Sequence, residues 1–536
     1  MNHYSAMRFS FVILTTLCTL NSPQLLLGQA PGLMGSDVDT SVRMPLMMPD
    51  DFSDLHLVAW RVERGTLDEE NNPLIEGETP WDGGGVGIHG SVFVDPIDSR
   101  WKAYLVGTPP EFHKVKPWRS DNANYRHLCL YESDDGVHWT RPEMSIVSLE
   151  GHEKTNILFD VQAVYPSVFV DPENKEWPYE MFVLHLDSAL GPAPDGNGVY
   201  RYRSKDGRHW ELLRKVQGPM TGDIAMVQRD LDGPGYVSYF RLCDPRQPDD
   251  HVPEWENTPR RTCMRATSLD GNLWERDPVM VLTCDERDHR DTQYQEQVPI
   301  KVEGGYMAMI TMFHPITQTL NLRMAASRDS RRWWFPDRVA CLDNPPMGDY
   351  GGGMIWQSQN LIVQDDKLYV YFGGTEGPHR QLIDTRAPSV EIAPMERIVH
   401  HEARLYIPFN SALCRAHWQL DRMYALVSSA GGPTVGAAIT QPKPLGGSDL
   451  WVNVKTRPVK NSKNRNYSGI LQVELLNDEA EPIDGFTRDD CVPIQGDHRA
   501  VQVAWKGGTA APDSARQAKF YLKRALLYGF EFRGLK

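Results

Sequence analysis

Four acids stand close to the points where a repeated strand pattern begins. Asp223 and Glu296 each precede an acidic turn residue, Asp230 and Glu303, by seven positions, so their carboxylates occupy the same point of two consecutive repeats. Asp82, in TPWDGGGVGIHG, and Asp349, in MGDYGGGMIW, sit farther back in glycine-rich stretches, where missing side chains let backbone come close to a ligand. Asp160 is a poorer counterpart in the second repeat. A strand-start cap accounts for any one of these acids taken singly; converging, they suit sugar chemistry. One carboxyl must be protonated to assist a leaving oxygen while another stays ionised to activate water or attack, and mutual repulsion with partial burial drives the two apart. Gln295, Gln297 and Tyr294 around Glu296 are uncharged, which favours Glu296 as general acid, with Asp82 as base or nucleophile, Asp223 fixing the substrate and Asp349 in reserve. Trp81, Trp118, Tyr294, Tyr350 and Trp356 offer ring faces to sugars, and His89, His314 and His379 offer hydrogen bonds to hydroxyls.

Positioning such groups takes a scaffold, and the chain repeats one. A strand ending in an acidic turn recurs at Gly90–Asp95, Pro166–Asp171, Ala225–Asp230, Val298–Glu303 and Asn360–Asp365, each followed by an aromatic-rich strand. Four units close on Ser-x-Asp-x-x-x-Trp, at Ser133, Ser204, Ser268 and Ser327; in the fifth, Leu420-Asp421-Arg422 takes that place. Asp and Gly in these turns supply the hydrogen bond and the positive φ that the reversal needs, and Trp is expected to pack between sheets. The serines lie 71, 64 and 59 residues apart, longer than the roughly 40–45 residues of a compact propeller blade. The expected fold is all-β: a five-bladed β-propeller over residues 55–440, followed by a C-terminal β-sandwich at 441–536. The second-to-third strand connections are long, at Thr108–Asn124, Asp187–Asn197, Asp244–Pro259 and Thr375–Glu402, with a short one at His314–Thr319. They share a face with the starts of the first strands, which reads as a binding face.

The remaining features bound the function. Forty per cent apolar residues suffice for a core, and a net charge of -15 repels phosphate backbones, so nucleic acid is an unfavourable partner. Residues 1–30 combine a single charged side chain, Arg8, an apolar run from Phe9 and the small-x-small site Gly28-Gln29-Ala30, which predicts an export signal, a secreted or periplasmic protein and no membrane span. A lead-in follows at 31–54. Seven cysteines remain after such cleavage, scattered and odd in number, with Cys243 and Cys263 able to bridge across one loop. No zinc motif or serine-centred elbow is present, so no metal or cofactor is expected, and oligomeric state is left open.

The segments QYQEQVPIKVEGGY, SRDSRRWW, GDYGGGMI and the tail DGFTRDDCVPIQGD, VAWKGG and LLYGFEF resemble five-bladed propeller glycosidases of glycoside hydrolase families 32 and 43, the invertase and arabinanase group, and within it secreted bacterial proteins of the family 32 type. The likeness spans about residues 55–536. It implies three acids at inner-strand starts, falling on Asp82, Asp223 and Glu296 with Asp349 in reserve, and a carbohydrate substrate. The chain departs from the family in lacking a Trp-Met-Asn-Asp-Pro-Asn-Gly-like opening and a Glu-Cys pair. Two other functions fit the same features: a glycan-binding propeller without catalysis, and a sialidase-like or phosphorolytic enzyme drawing on Arg119, Arg323 or Arg380.

Overall fold

The computed structural model describes residues 43–110, 126–188, 191–220, 225–248, 259–289, 291–364, 366–379, 382–384, 399–401, 404–406, 410–428, 434–457 and 468–534. The expected signal at 1–30, and Trp118, Arg119, Asp223 and Arg380, lie outside them. The regular elements of the described residues are strands, apart from one three-residue 3₁₀ turn at Pro49–Asp51.

Three units are four-stranded antiparallel meanders: Gly85–Val94 to Trp139–Thr140, Ala163–Val170 to Trp210–Lys215, and Ala225–Arg229 to Val279–Leu282. The fourth has three strands, Gln293–Val302, Gly305–His314 and Thr319–Ser327, with bridges such as Ala326 to Trp334 in place of a fourth. The fifth has Met354–Gln364, Lys367–Thr375 and Ser411–Gln419. Its outer strand comes from the other end of the chain: Thr66–Leu67 pairs with Ala416 and His417. First strands touch in order, and that of the fifth unit touches that of the first. The sheets therefore close into a ring, which leaves only short edges, as in a β-propeller.

The Ser-x-Asp turns behave as their composition requires. In the first, the backbone N–H groups of Val137 and His138 donate to Asp135 Oδ1 at 2.8 Å each, and Gly136 takes φ +74°. Each turn is also latched to the preceding unit. The Tyr371 hydroxyl donates to Gly136 O, Tyr104 to Gly207 O and Tyr239 to Ser330 O, at 3.0, 2.9 and 3.2 Å. At the equivalent place between the second and third units a phenylalanine, Phe182, packs on Trp274 instead. Trp139 and Trp210 likewise meet Tyr371 and Tyr104 across the unit boundaries.

The sheets do not divide at residue 440. One C-terminal sheet runs Phe52–His56, Gly436–Thr440, Gln517–Lys523, Ile470–Leu476; the other runs Val58–Val62, Tyr424–Ser428, Ala525–Arg533, Asp449–Thr456, Asp497–Gln502. Strands at 52–62 and 424–428 thus belong to the sandwich, and Phe52 and Leu426 share its apolar core with Val452, Val473 and Phe520. The lead-in also docks: Leu46 N–H donates to Glu303 O at 2.8 Å, and Met47 is buried in the sandwich core. Pairing with strands at 424–440 satisfies backbone groups of 52–62 that a local reading leaves exposed. Cys243 and Cys263 are free thiols, and their strand register sets Cys243 opposite Arg261 and Cys263 opposite Arg241.

Candidate active site

Irregular first strands converge at the middle of the ring. Register shifts interrupt pairing at Val86/Gly90 in the first unit, Val164/Ser167 in the second, Tyr294/Glu296 in the fourth and Gln357/Leu361 in the fifth. Such bulges re-aim side chains and concentrate near functional sites. Here they gather His89, Tyr165, Glu296 and Trp356, one from each of four units. Glu296 and His89 are 1 % and 2 % exposed. Thr311 Oγ1 donates to Glu296 Oε1 at 2.7 Å, and His89 Nδ1 stands 3.3 Å from Glu296 Oε2. The His89 ring lies 4.0 Å from that of Tyr165 and 4.2 Å from that of Trp356. Beneath Trp356 an apolar floor of Met226, Val298, Phe313, Leu320 and Met354 brings in the third unit as well.

His89 and Tyr165 both adopt left-handed backbone, φ +58° and +56°. For residues of this bulk that geometry costs about 1–3 kcal/mol and persists only where surroundings enforce it. Gly85, Gly87 and Gly90 have the spacing of a dinucleotide-binding loop, yet they lie inside one strand, and the next element is another strand, Trp101–Thr108. Their role is close approach. A Cβ on Gly87 would meet Gly373 Cα and Leu413 N at 3.3 Å, and one on Gly353 would meet Gly377 O at 1.8 Å. These glycines bring backbone to backbone, not backbone to ligand as their richness suggested.

Asp82 belongs elsewhere. Its Oδ1 accepts from Glu78 N, Thr79 N and Thr79 Oγ1 at 2.9, 2.8 and 2.7 Å, and its Oδ2 from Tyr131 OH and Arg141 Nε at 2.9 and 2.8 Å. Both oxygens are spent holding the first unit's opening loop, which removes it as base or nucleophile. Asp349 is exposed in a short turn whose N–H donates to Pro346 O. Trp81 is buried, with Nε1 donating to Asn156 Oδ1 at 2.7 Å, and offers no face to a sugar. Tyr294 points between the third and fourth units, stacked on Phe335 with its hydroxyl on Asp288; burial pushes its phenol well up, so it stays a donor. His314 is held by Asp291 O and Asn321 Oδ1 at 2.6 and 3.0 Å. His379 donates its N–H to Gln318 O at 2.7 Å and packs its ring on Phe313. Of the expected residues, then, Glu296, His89 and Trp356 are brought together. Arg323 is tied to Asp288 at 2.9 Å and buried.

Sequence reading missed Tyr165, Thr311 and, near the start of the Glu296 strand, Arg261, which donates to Gln295 Oε1 at 3.0 Å and lies over the Phe313 ring. The glycines flanking His89 were the available sign of a bulge. The chain's Arg-Asp-Pro triplet, Arg276 to Pro278, stands in the third unit's third-to-fourth connection, and its Asp277 is exposed on the turn face. Among the described residues no three His, Cys, Asp or Glu gather as a metal site, and no helix is long and apolar enough to cross a membrane. A cavity of about 660 Å³ lies elsewhere, between the first two units on the turn face, lined by Pro96, Lys102, Tyr179 and Arg208 among others.

No family model and no curated protein matches the chain. Solved structures do. A Parabacteroides distasonis protein described as a putative glycoside hydrolase is 11 % identical, covering 69 % of this chain and 98 % of its own, with a TM-score of 0.43. β-1,2-Mannobiose phosphorylase from Listeria innocua is 12 % identical over 67 % of this chain and 98 % of its own, also at 0.43. A further glycoside hydrolase covers 86 % of this chain and all of its own at 10 % identity and 0.36. The fold assignment rests on the chain's own strand pairing: an all-β propeller-type ring joined to a sandwich.

Proposed function

We propose that this chain is a carbohydrate-active enzyme that cleaves glycosidic bonds, with Glu296 as its acid and the converging first strands as its substrate-facing core. One observation carries the reading: a carboxylate is buried where bulged strands from several units meet, beside an imidazole that is itself held between two aromatic rings. A carboxyl in such surroundings is suited to proton transfer at a leaving oxygen. The sequence likeness to family 32 and 43 glycosidases supports the same class, and the N-terminal pattern supports export with cleavage after Ala30. Asp223, just ahead of the third unit's first strand, is the proposed second carboxylate.

A second reading, a glycan-binding propeller without catalysis, is favoured by the ion pair that occupies Asp82. A diverse glycan panel with product analysis separates the two. Cleavage of one member, lowered about 10²–10⁴-fold in Glu296→Gln, is the result expected of general acid catalysis. Wild-type turnover in that variant removes Glu296 from the mechanism, and binding of a glycan without cleavage establishes the second reading.

A further inference from the structure

Glu296 is approached across the ring by one imidazole nitrogen, and several features conspire to hold it there. Alanine at Gly90 would put Cβ 2.5 Å from Tyr104 O and 2.6 Å from Leu105 Cδ2, and Gly87 takes φ +96°, so the positions one after and two before His89 both favour glycine. The strand can bulge there, and His89 takes the left-handed conformation that turns its ring inward. Tyr165 and Trp356 then clamp that ring, while Thr311 ties the other carboxylate oxygen. What remains is a 3.3 Å gap between Nδ1 and Oε2.

We infer that His89 is the positioning residue of Glu296: the clamped imidazole fixes the carboxylate and exchanges a proton with it. The proton on Nδ1 passes to Oε2, turning an ion pair into a neutral imidazole and a neutral carboxylic acid, and the reverse step restores the pair. Nothing else is consumed. Other groups face the pair. The Tyr165 phenol comes from the second unit, and the Cys263 thiol from the third, pushed up by burial and by the charge of Glu296, with Arg241 beside it acting in the opposite sense. The catalytic consequence rests on the proposed function; the coupling of the two groups does not.

The experiment is a pH titration of histidine-labelled full-length protein by NMR, with the His89 signal identified by its loss in His89→Gln. A carboxylate this close favours the charged imidazole, so the His89 midpoint should fall by about one to three pH units in Glu296→Gln. If that variant does not fold, Glu296→Asp, which retracts the carboxylate by one methylene, should show a smaller fall. A midpoint that stays where it is in the folded variant overturns the inference. On any glycan the wild type cleaves, His89→Gln should lower kcat roughly 10²-fold, the cost of misplacing a catalytic group, leave KM within about twofold and flatten one limb of the pH profile. An unchanged kcat and profile overturn the positioning role. Wild-type turnover in Glu296→Gln alongside a shifted His89 midpoint would instead sink the proposed function and leave the coupling standing.

Discussion

Replacing Asp82 by asparagine separates a structural acid from a catalytic one. Asparagine keeps the shape, and its oxygen can still accept from Glu78 N, Thr79 N and Thr79 Oγ1. Its amide NH₂, however, must then face the Tyr131 hydroxyl and Arg141 Nε, two donors now at 2.9 and 2.8 Å from Oδ2. Two groups lose their acceptor, and a guanidinium loses its buried counter-charge. Removing one partner of a buried ion pair costs about 3–5 kcal/mol. Arg141 keeps Glu78 and Glu76 O at 2.9 and 2.6 Å, which argues for the lower end, about 3 kcal/mol. With a urea slope of about 3 kcal/mol per molar, the midpoint should drop by about 1 M. Tryptophan fluorescence is a suitable readout, since Trp81 is the neighbouring residue and is itself pinned to Asn156. Activity per folded molecule should be unchanged. An Asp82→Asn protein that unfolds like wild type yet has lost turnover would refute this account and return Asp82 to the chemistry.

Tyr104→Phe removes the latch to Gly207 O and strands a buried carbonyl, so urea unfolding should show a loss of about 1–2 kcal/mol; no loss would mean the latch is ornamental. Burial pushes His127 and His185 down to about 4, below the roughly 6.5 of an unfolded chain. The unfolded state therefore binds more protons between those values, and the stability these neutral rings contribute is complete above about pH 6.5 and lost as pH falls toward 4. His185→Gln, which cannot titrate, should flatten the decline of the urea midpoint over that window; an equally steep decline would exclude His185 as a cause.

The repeat was legible because its signals are local. A Ser-x-Asp turn needs only its own side chain to meet its own backbone, and strand alternation is written in neighbouring residues, so the recurring strand units followed directly. Glu296 was singled out the same way, by counting back from a turn. The chain's closure was not legible. Thr66–Leu67 completes a sheet with residues about 350 positions away, and Phe52–Val62 joins the C-terminal sandwich, because backbone groups left unpaired in sequence find partners only in space. The site divided along the same line. Asp82 and Glu296 look alike as acids near glycine or glutamine, and only the fold gives one a shell of five donors and the other a histidine from across the ring. His89 faces Glu296 because its strand bulges there, taking four steps from Val86 to Gly90 against two from Gly107 to Leu105 opposite, and His89 adopts left-handed backbone within the bulge.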